Sequence, residues 1–242
     1  DVCLFCSDFL SLVLHPSGYI CAFVAQKISQ GHTYREMPLA KVSMDGWCDC
    51  ILTIDENNIC FYLNGEKVFI RGLNRHQCYP YIGYAATDHL QREDARILKE
   101  ELGCVIVRTS HYPQSHYFID ECDRLGLLVF TEIPGWQHIG GEDWKRQAVE
   151  NTREMVMQYR NHPSIILWGV RINESQDCDE LYKLTNQVAH DLDPSRATSG
   201  VRFIEKSNLL EDVYAYNDFS HTGNNPGCKP KKSVTNDGKK AL

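Results

Sequence analysis

The chain has 242 residues, 43% of them hydrophobic, which is enough to bury a full core in one large domain with or without an appendage. A formal net charge of -7, with no basic run beyond the short Lys229-Pro-Lys-Lys232 patch, argues against nucleic acid or an acidic membrane as partner and for a neutral or small polar one. The apolar run Phe9 to Leu14 is far short of the roughly 18 residues a membrane span requires.

The N-terminal segment, residues 1–60, reads as small and mostly β. Its apolar residues come in short runs without helical spacing, broken at Pro16-Ser-Gly18 and Asp45-Gly46. The chain begins on Asp1 rather than Met, which is expected of a fragment or a processed product. Eleven cysteines lie between Cys3 and Cys228. Their odd number, with no secretory segment ahead of them, reads as reduced thiols in a cytoplasmic protein. Cys3-x-x-Cys6 with Cys48-x-Cys50 has the wrong internal spacing for a zinc knuckle, so unliganded thiols are the better reading.

Asn64-Gly65, between Phe61-Tyr-Leu63 and a second β-rich run, predicts a hairpin that leads into a strand over Val68 to Leu73. Strand and helix then alternate. Thr87-Asp88 caps a helix whose inner face is Leu90, Ile97, Leu98 and Leu102, ended by Gly103. A strand over Cys104 to Val107 precedes a helix near Ser115 to Arg124, and the strand Leu127 to Phe130 precedes a helix from Asp143 to Tyr159. That third helix presents Ala148, Thr152, Met155, Val156 and Tyr159 on one side. The strand Ile165 to Trp168 follows, with Trp168 read as a core residue. The next helix carries Leu181, Leu184, Val188 and Leu192 and halts at Asp193-Pro194, and strands near Ala197 to Gly200 and Val213 to Tyr216 close the pattern.

Repetition at roughly 35 residues implies parallel strands with right-handed crossovers, in either a (β/α)8 barrel or an open doubly wound sheet. No glycine-rich phosphate loop follows a strand, which weighs against the nucleotide-binding open sheets. In a barrel, polar residues at the carboxyl ends of strands read as catalytic. Those ends carry Asn74-Arg75-His76, Arg108 to Tyr112, Glu132 with His138, Asn173-Glu174, and Tyr214 to Asp218. A carboxylic acid among Arg, His, Asn and Tyr suits proton transfer to an oxygen leaving group of a hydroxyl-rich substrate.

Glu174, which follows the apolar Ile165-Ile-Leu-Trp-Gly-Val170, also has a bland reading as a carboxylate in the first turn of the next helix. Trp136 is either a core aromatic or a sugar-stacking platform. A metal-dependent hydrolase using His111, His138 and Glu174 is a further alternative, although no paired-histidine motif supports it.

The stretches VRTSHYPQSHYFIDECDRLGLLVFTE (residues 107–132) and RNHPSIILWGVRINES (residues 160–175) resemble the two signature regions of glycoside hydrolase family 2, the β-galactosidases, β-glucuronidases and β-mannosidases. LNGEKVFIRGLNRHQ (residues 63–77) is similar to the start of that family's catalytic barrel. Residues 1–50 do not resemble the domains the family places upstream. The resemblance implies a (β/α)8 TIM barrel, here incomplete with about six β/α units over residues 61–242, and a retaining mechanism on a β-linked glycoside, most like a β-galactosidase, with a β-glucuronidase-like glycosidase or a non-catalytic carbohydrate-binding remnant as the alternatives. Glu174 matches the family's general acid/base and Asn173 the residue that holds the sugar's 2-hydroxyl. Arg108, His111, His138 and Tyr216 match substrate-binding positions, and no metal or other cofactor is called for. Val105 stands where the first signature usually has Asn. The family's nucleophile is a Glu on the seventh strand, and neither Glu205 nor Glu211 lies in its motif. The chain is therefore expected to need the remainder of a longer polypeptide, a complementing chain or an oligomeric partner to act.

Overall fold

The computed structural model describes residues 66–220 and 229–236, Lys231 by backbone alone, and among residues 1–65 the backbone of short strands. Those strands pair antiparallel. Val2–Cys6, Leu10–Leu14 and Ile20–Val24 form one sheet in chain order, and Cys50–Ile54, Ile59–Leu63 and Glu66–Val68 form another. The expected hairpin is present, with Leu63 opposite Glu66 and Phe61 opposite Val68. Its Asn64-Gly65 turn and the Cys3, Cys6, Cys48 and Cys50 side chains lie outside the described residues.

The main body is a six-stranded sheet of β1 (Gly72–Arg75), β2 (Ile106–Thr109), β3 (Leu128–Glu132), β4 (Ile165–Gly169), β5 (Ala197–Arg202) and β6 (Val213–Tyr216). Every neighbouring pair is parallel, and spatial order equals chain order. A doubly wound sheet would reverse its order at a switch point, whereas a barrel winds in one direction. Helices α1 (Asp88–Arg96), α2 (His116–Leu125), α3 (Glu142–Tyr159) and α4 (Asp179–Leu192) connect the strands. Residues of all four pack with Val107, Val129, Ile165 and Trp168 in one apolar cluster, so the helices cover a single face. The other face forms a second cluster of strand residues that includes Leu128, Phe130, Ile166, Val201 and Val213, the lining of a barrel interior. The fold is thus an incomplete TIM barrel.

Several elements differ from expectation. The continuous strand over Val68 to Leu73 is two strands, because Val68 pairs with Phe61 in the hairpin while Gly72 pairs with Ile106 in the barrel. The chain changes sheets between them and leaves Phe69 79% exposed. The second strand runs two residues later than its apolar run, since Cys104 N–H donates to the Leu98 carbonyl to close the preceding helix. That helix ends in a π-helical turn over Ile97–Glu101, which rotates Leu102 out to 58% exposure and leaves Gln91, Ala95 and Leu98 inward. In α4 the buried face is Leu181, Tyr182, Thr185 and Ala189, and Leu184 is 53% exposed. The reason is polar: the Tyr182 hydroxyl bonds Ser175 Oγ at 2.5 Å and the ring lies under the Arg171 guanidinium, which draws this side inward. In α3 the five residues named from spacing are the buried ones.

A glycine is required at the start of β1. A Cβ on Gly72 would lie 1.9 Å from the Ile106 carbonyl oxygen of β2, a backbone atom that cannot swing aside. Gly72→Ala is expected to lower stability by about 1–3 kcal/mol. The check is a lowered urea midpoint at unchanged slope, and an unchanged midpoint would show that the two strands can part at no cost.

Candidate active site

The carboxyl ends of β2, β3 and β4 place three side chains in one network. Arg108 of β2 grips both oxygens of Glu132 at the end of β3, with Nε 2.6 Å from Oε1 and Nη2 3.2 Å from Oε2. Glu132 is 2% exposed, so its charge depends on this two-pronged pairing. Arg108 Nη2 also donates to Asn173 Oδ1 at 2.6 Å, which fixes the amide and leaves its NH2 group as a donor. His111 Nδ1 lies 3.1 Å from Glu132 Oε2 and 3.3 Å from Arg108 Nη2. The carboxylate favours a proton on Nδ1, so the approach of Arg108 Nη2 to that nitrogen is a close contact rather than a second hydrogen bond. His76, after β1, packs edge-on against His111 at 5.3 Å. Burial first, then the charges of His111 and Arg108, push its imidazole below the ordinary value.

Glu174 is not the last residue of a strand, because β4 ends at Gly169 and five residues carry the chain on. Nor does Glu174 stand in the first turn of α4, which begins at Asp179. Instead Glu174 adopts φ +52°, a left-handed conformation uncommon outside glycine. The turn is held from several directions. Glu174 N–H donates to the Val201 carbonyl at 3.0 Å, Ser175 N–H and Oγ both reach the Ile172 carbonyl, and buried Arg171 donates to the Ser175 carbonyl. The rigid turn points the carboxylate at three donors. Trp136 Nε1 (3.2 Å) and Gln137 Nε2 (3.1 Å) reach Oε2, and Asn217 Nδ2 (2.6 Å) reaches Oε1. Burial pushes the carboxyl up, but the bonds from Gln137, Asn217 and Trp136 and the charge of His111 outweigh it and hold the group below its ordinary value.

Below the polar rim lies an open cavity of about 270 Å³ on the interior face of the sheet. Ile106, Phe130, Ile166, Val201 and Val213 form its apolar part, and Arg108, Asn74, Tyr216 and Asn217 its polar part. Residues 54–227, which carry this site and the barrel strands, match the family model described as "Glycosyl hydrolases family 2, TIM barrel domain". The chain belongs to glycosyl hydrolase family 2.

Its similarity to a beta-galactosidase of Thermoanaerobacterium thermosulfurigenes is 61% identity over 175 residues, 72% of this chain and 24% of that relative. With a beta-galactosidase of Thermoanaerobacter pseudethanolicus it shares 61% identity over 159 residues, 66% of this chain and 21% of the relative. Among solved structures, the FMN-binding beta-glucuronidase from Facaelibacterium prausnitzii matches with a TM-score of 0.64 at 32% identity, covering 71% of this chain and 28% of that one. The chain spans roughly a quarter of the length of the curated relatives it matches.

In this family 2 barrel, Asn173, Arg108 and His111 share one network with Glu132, and Glu174, next in the chain after Asn173, is held by its own set of donors. Tyr216 stands on the cavity wall, next to Asn217 and close to Glu205. His138 makes none of these contacts. It is exposed, its ring set edge-on against Trp144 of α3 at 5.8 Å. Arg75 turns to the helix side, where Asp94, Gln91 and Gln114 satisfy it. Trp168 is fully buried with Nε1 bonded to Asp193. Among the described residues, His111, His138 and Glu174 do not form a ligand cluster; one close grouping is Asp120, Asp123 and His162, away from the mouth. Cys78, Cys104, Cys122 and Cys178 are free thiols, and no described helix is long and apolar enough to cross a membrane.

Gln137 was not named from the sequence, and Asn217 only within the strand-end stretch Tyr214 to Asp218. They lie 37 and 43 positions from Glu174. The one local signal was their position just past the ends of β3 and β6, where a barrel gathers its functional side chains.

Proposed function

We propose that the protein containing this chain is a retaining β-galactosidase with Glu174 as its acid/base. The observation that carries this reading is the Glu174 carboxylate, presented in a strained left-handed turn beside an Asn173 amide already fixed by Arg108. In the first step Glu174 gives its proton to the glycosidic oxygen as that bond breaks, and in the second it takes a proton from the incoming water. Asn173 donates to the sugar 2-hydroxyl, a bond that strengthens as the ring flattens. Arg108 holds Asn173 and Glu132, and His111 offers Nε2 to a neighbouring hydroxyl. Tyr216, on the cavity wall, and His138, on the rim, contact more distant parts of the substrate. The nucleophilic carboxylate comes from outside these 242 residues.

The organisation that goes with this reading is an N-terminal β segment over residues 1–60 and a partial catalytic barrel over residues 61–242. The protein works in the cytoplasm on a β-linked glycoside, without a cofactor, nucleic acid or a membrane, and it is completed by the rest of a longer polypeptide, a complementing chain or a homo-oligomer. Two beta-galactosidases at 61% identity support the galactoside. A β-glucuronide is the second reading, supported by a solved beta-glucuronidase of the same fold at 32% identity.

The test is steady-state hydrolysis of nitrophenyl β-galactoside and nitrophenyl β-glucuronide by the full-length protein, with and without a chelator. The galactoside is expected to have at least about tenfold higher kcat/KM, indifferent to chelator. Preference for the glucuronide would overturn the sugar assignment, and hydrolysis of neither would overturn the reading.

A further inference from the structure

Trp136 has an unusual combination of properties. It is a large aromatic side chain, 62% exposed, yet its indole N–H is committed to the carboxylate of the acid/base candidate at 3.2 Å. Its backbone is fixed as well. Residues 136 and 173 form a parallel bridge, Gln137 N–H donates to the Asn173 carbonyl at 2.8 Å, and Gly135 N–H donates to the His111 carbonyl at 3.1 Å. Gly135, at φ +148°, lets the loop close on Ile172, where a Cβ would meet the Ile172 Cδ1 at 2.6 Å. An exposed ring held this firmly has no packing task among the described residues.

Its location defines what it can touch. The proton donor of a glycosidase must lie within a hydrogen bond of the oxygen that leaves, so that oxygen sits close to the Glu174 carboxylate. A ring that already bonds the same carboxylate borders the leaving group rather than the sugar retained on the enzyme. We propose that Trp136 is the platform on which a leaving-group sugar stacks, so that this site prefers glycosides whose aglycone is itself a pyranose over those with a small alkyl aglycone. A sugar ring offers a patch of C–H bonds to the aromatic face, whereas a methoxy group is too small to cover it. The proposal rests on the acid/base assignment of Glu174.

The experiment compares kcat/KM for a β-linked galactosyl-glucose disaccharide and for methyl β-galactoside in the full-length protein and its Trp136→Ala and Trp136→Phe variants. Trp136→Ala is expected to lower kcat/KM for the disaccharide about tenfold more than for the methyl glycoside. Trp136→Phe keeps a ring and should retain most of the preference. Both variants remove a donor that stabilises the ionised Glu174, so its pKa rises, the protonated acid persists to higher pH, and the basic limb of the kcat/KM profile moves upward for both substrates. Equal losses on the two glycosides in Trp136→Ala would overturn the platform while leaving the glycosidase reading in place. If the parent turns over neither glycoside, the glycosidase reading falls and the platform falls with it.

Discussion

Replacing Glu174 with Gln in the full-length protein is expected to lower kcat for methyl β-galactoside by about 10²–10⁴-fold, the range that positioned proton transfer contributes. Gln keeps the size of the side chain but cannot donate a carboxylic proton. The loss should depend on the leaving group. A methoxide needs the proton as the bond breaks, whereas a dinitrophenolate leaves without one, so the first step with the dinitrophenyl glycoside should be nearly untouched and a burst of dinitrophenol should precede slow turnover. Equal reduction for both substrates, with no burst, would show that Glu174 does not donate the proton. The variant also has a structural signature. Both carboxylate oxygens of Glu174 accept hydrogen bonds, and an amide has only one oxygen for the three donors Trp136, Gln137 and Asn217. The Gln NH2 must face a donor on one side, so a small loss of thermal stability should accompany the loss of rate.

The direction of the Glu174 shift bears on how the complete site works. A general acid should be protonated near the working pH, yet the surroundings seen here hold this carboxyl below its ordinary value. On the proposed retaining mechanism, the charge of a second carboxylate about 5 Å away would disfavour ionisation of Glu174 and raise its pKa. That carboxylate would then serve both as nucleophile and as the field that makes Glu174 an acid.

The alternation of strand and helix was legible because each unit carries its own apolar run, whereas the single winding direction, which right-handed crossovers alone leave open, shows only in the strand order. The inner face of α3 was legible for a similar reason, since Ala148, Met155, Val156 and Tyr159 all join the apolar core and Thr152 turns its hydroxyl back to the Ala148 carbonyl of its own helix. Spacing failed where a polar contact overrode it. Leu184 gives way to Tyr182 because the hydroxyl finds Ser175 and the ring finds Arg171. Leu102 turns outward because the last turn of its helix widens. Within the site, Arg108 and Asn173 could be named from strand-end position, but their mutual bond is a fact of tertiary packing. His138 was named for its interval after Glu132, and in the structure its exposed ring packs edge-on against Trp144.

Arg108→Leu is expected to combine a loss of stability of about 3–5 kcal/mol with a loss of activity, because one side chain serves both the sheet and the site. Without the guanidinium, the 2%-exposed Glu132 keeps His111 as its only described partner of basic character, and a buried carboxylate in that state is costly. Asn173 is freed at the same time, since the bond to its Oδ1 comes from Arg108. The amide can then flip or drift, and the hydrogen bond proposed to reach the substrate's 2-hydroxyl is no longer aimed. Denaturation midpoints measure the first effect and kcat the second. The double variant Arg108→Leu with Glu132→Gln separates them, since removing the stranded charge should recover a large share of the stability while Asn173 stays unanchored and activity stays low. If activity returned together with stability, the role of Arg108 would be confined to neutralising Glu132, and Asn173 would have to be held by the backbone alone.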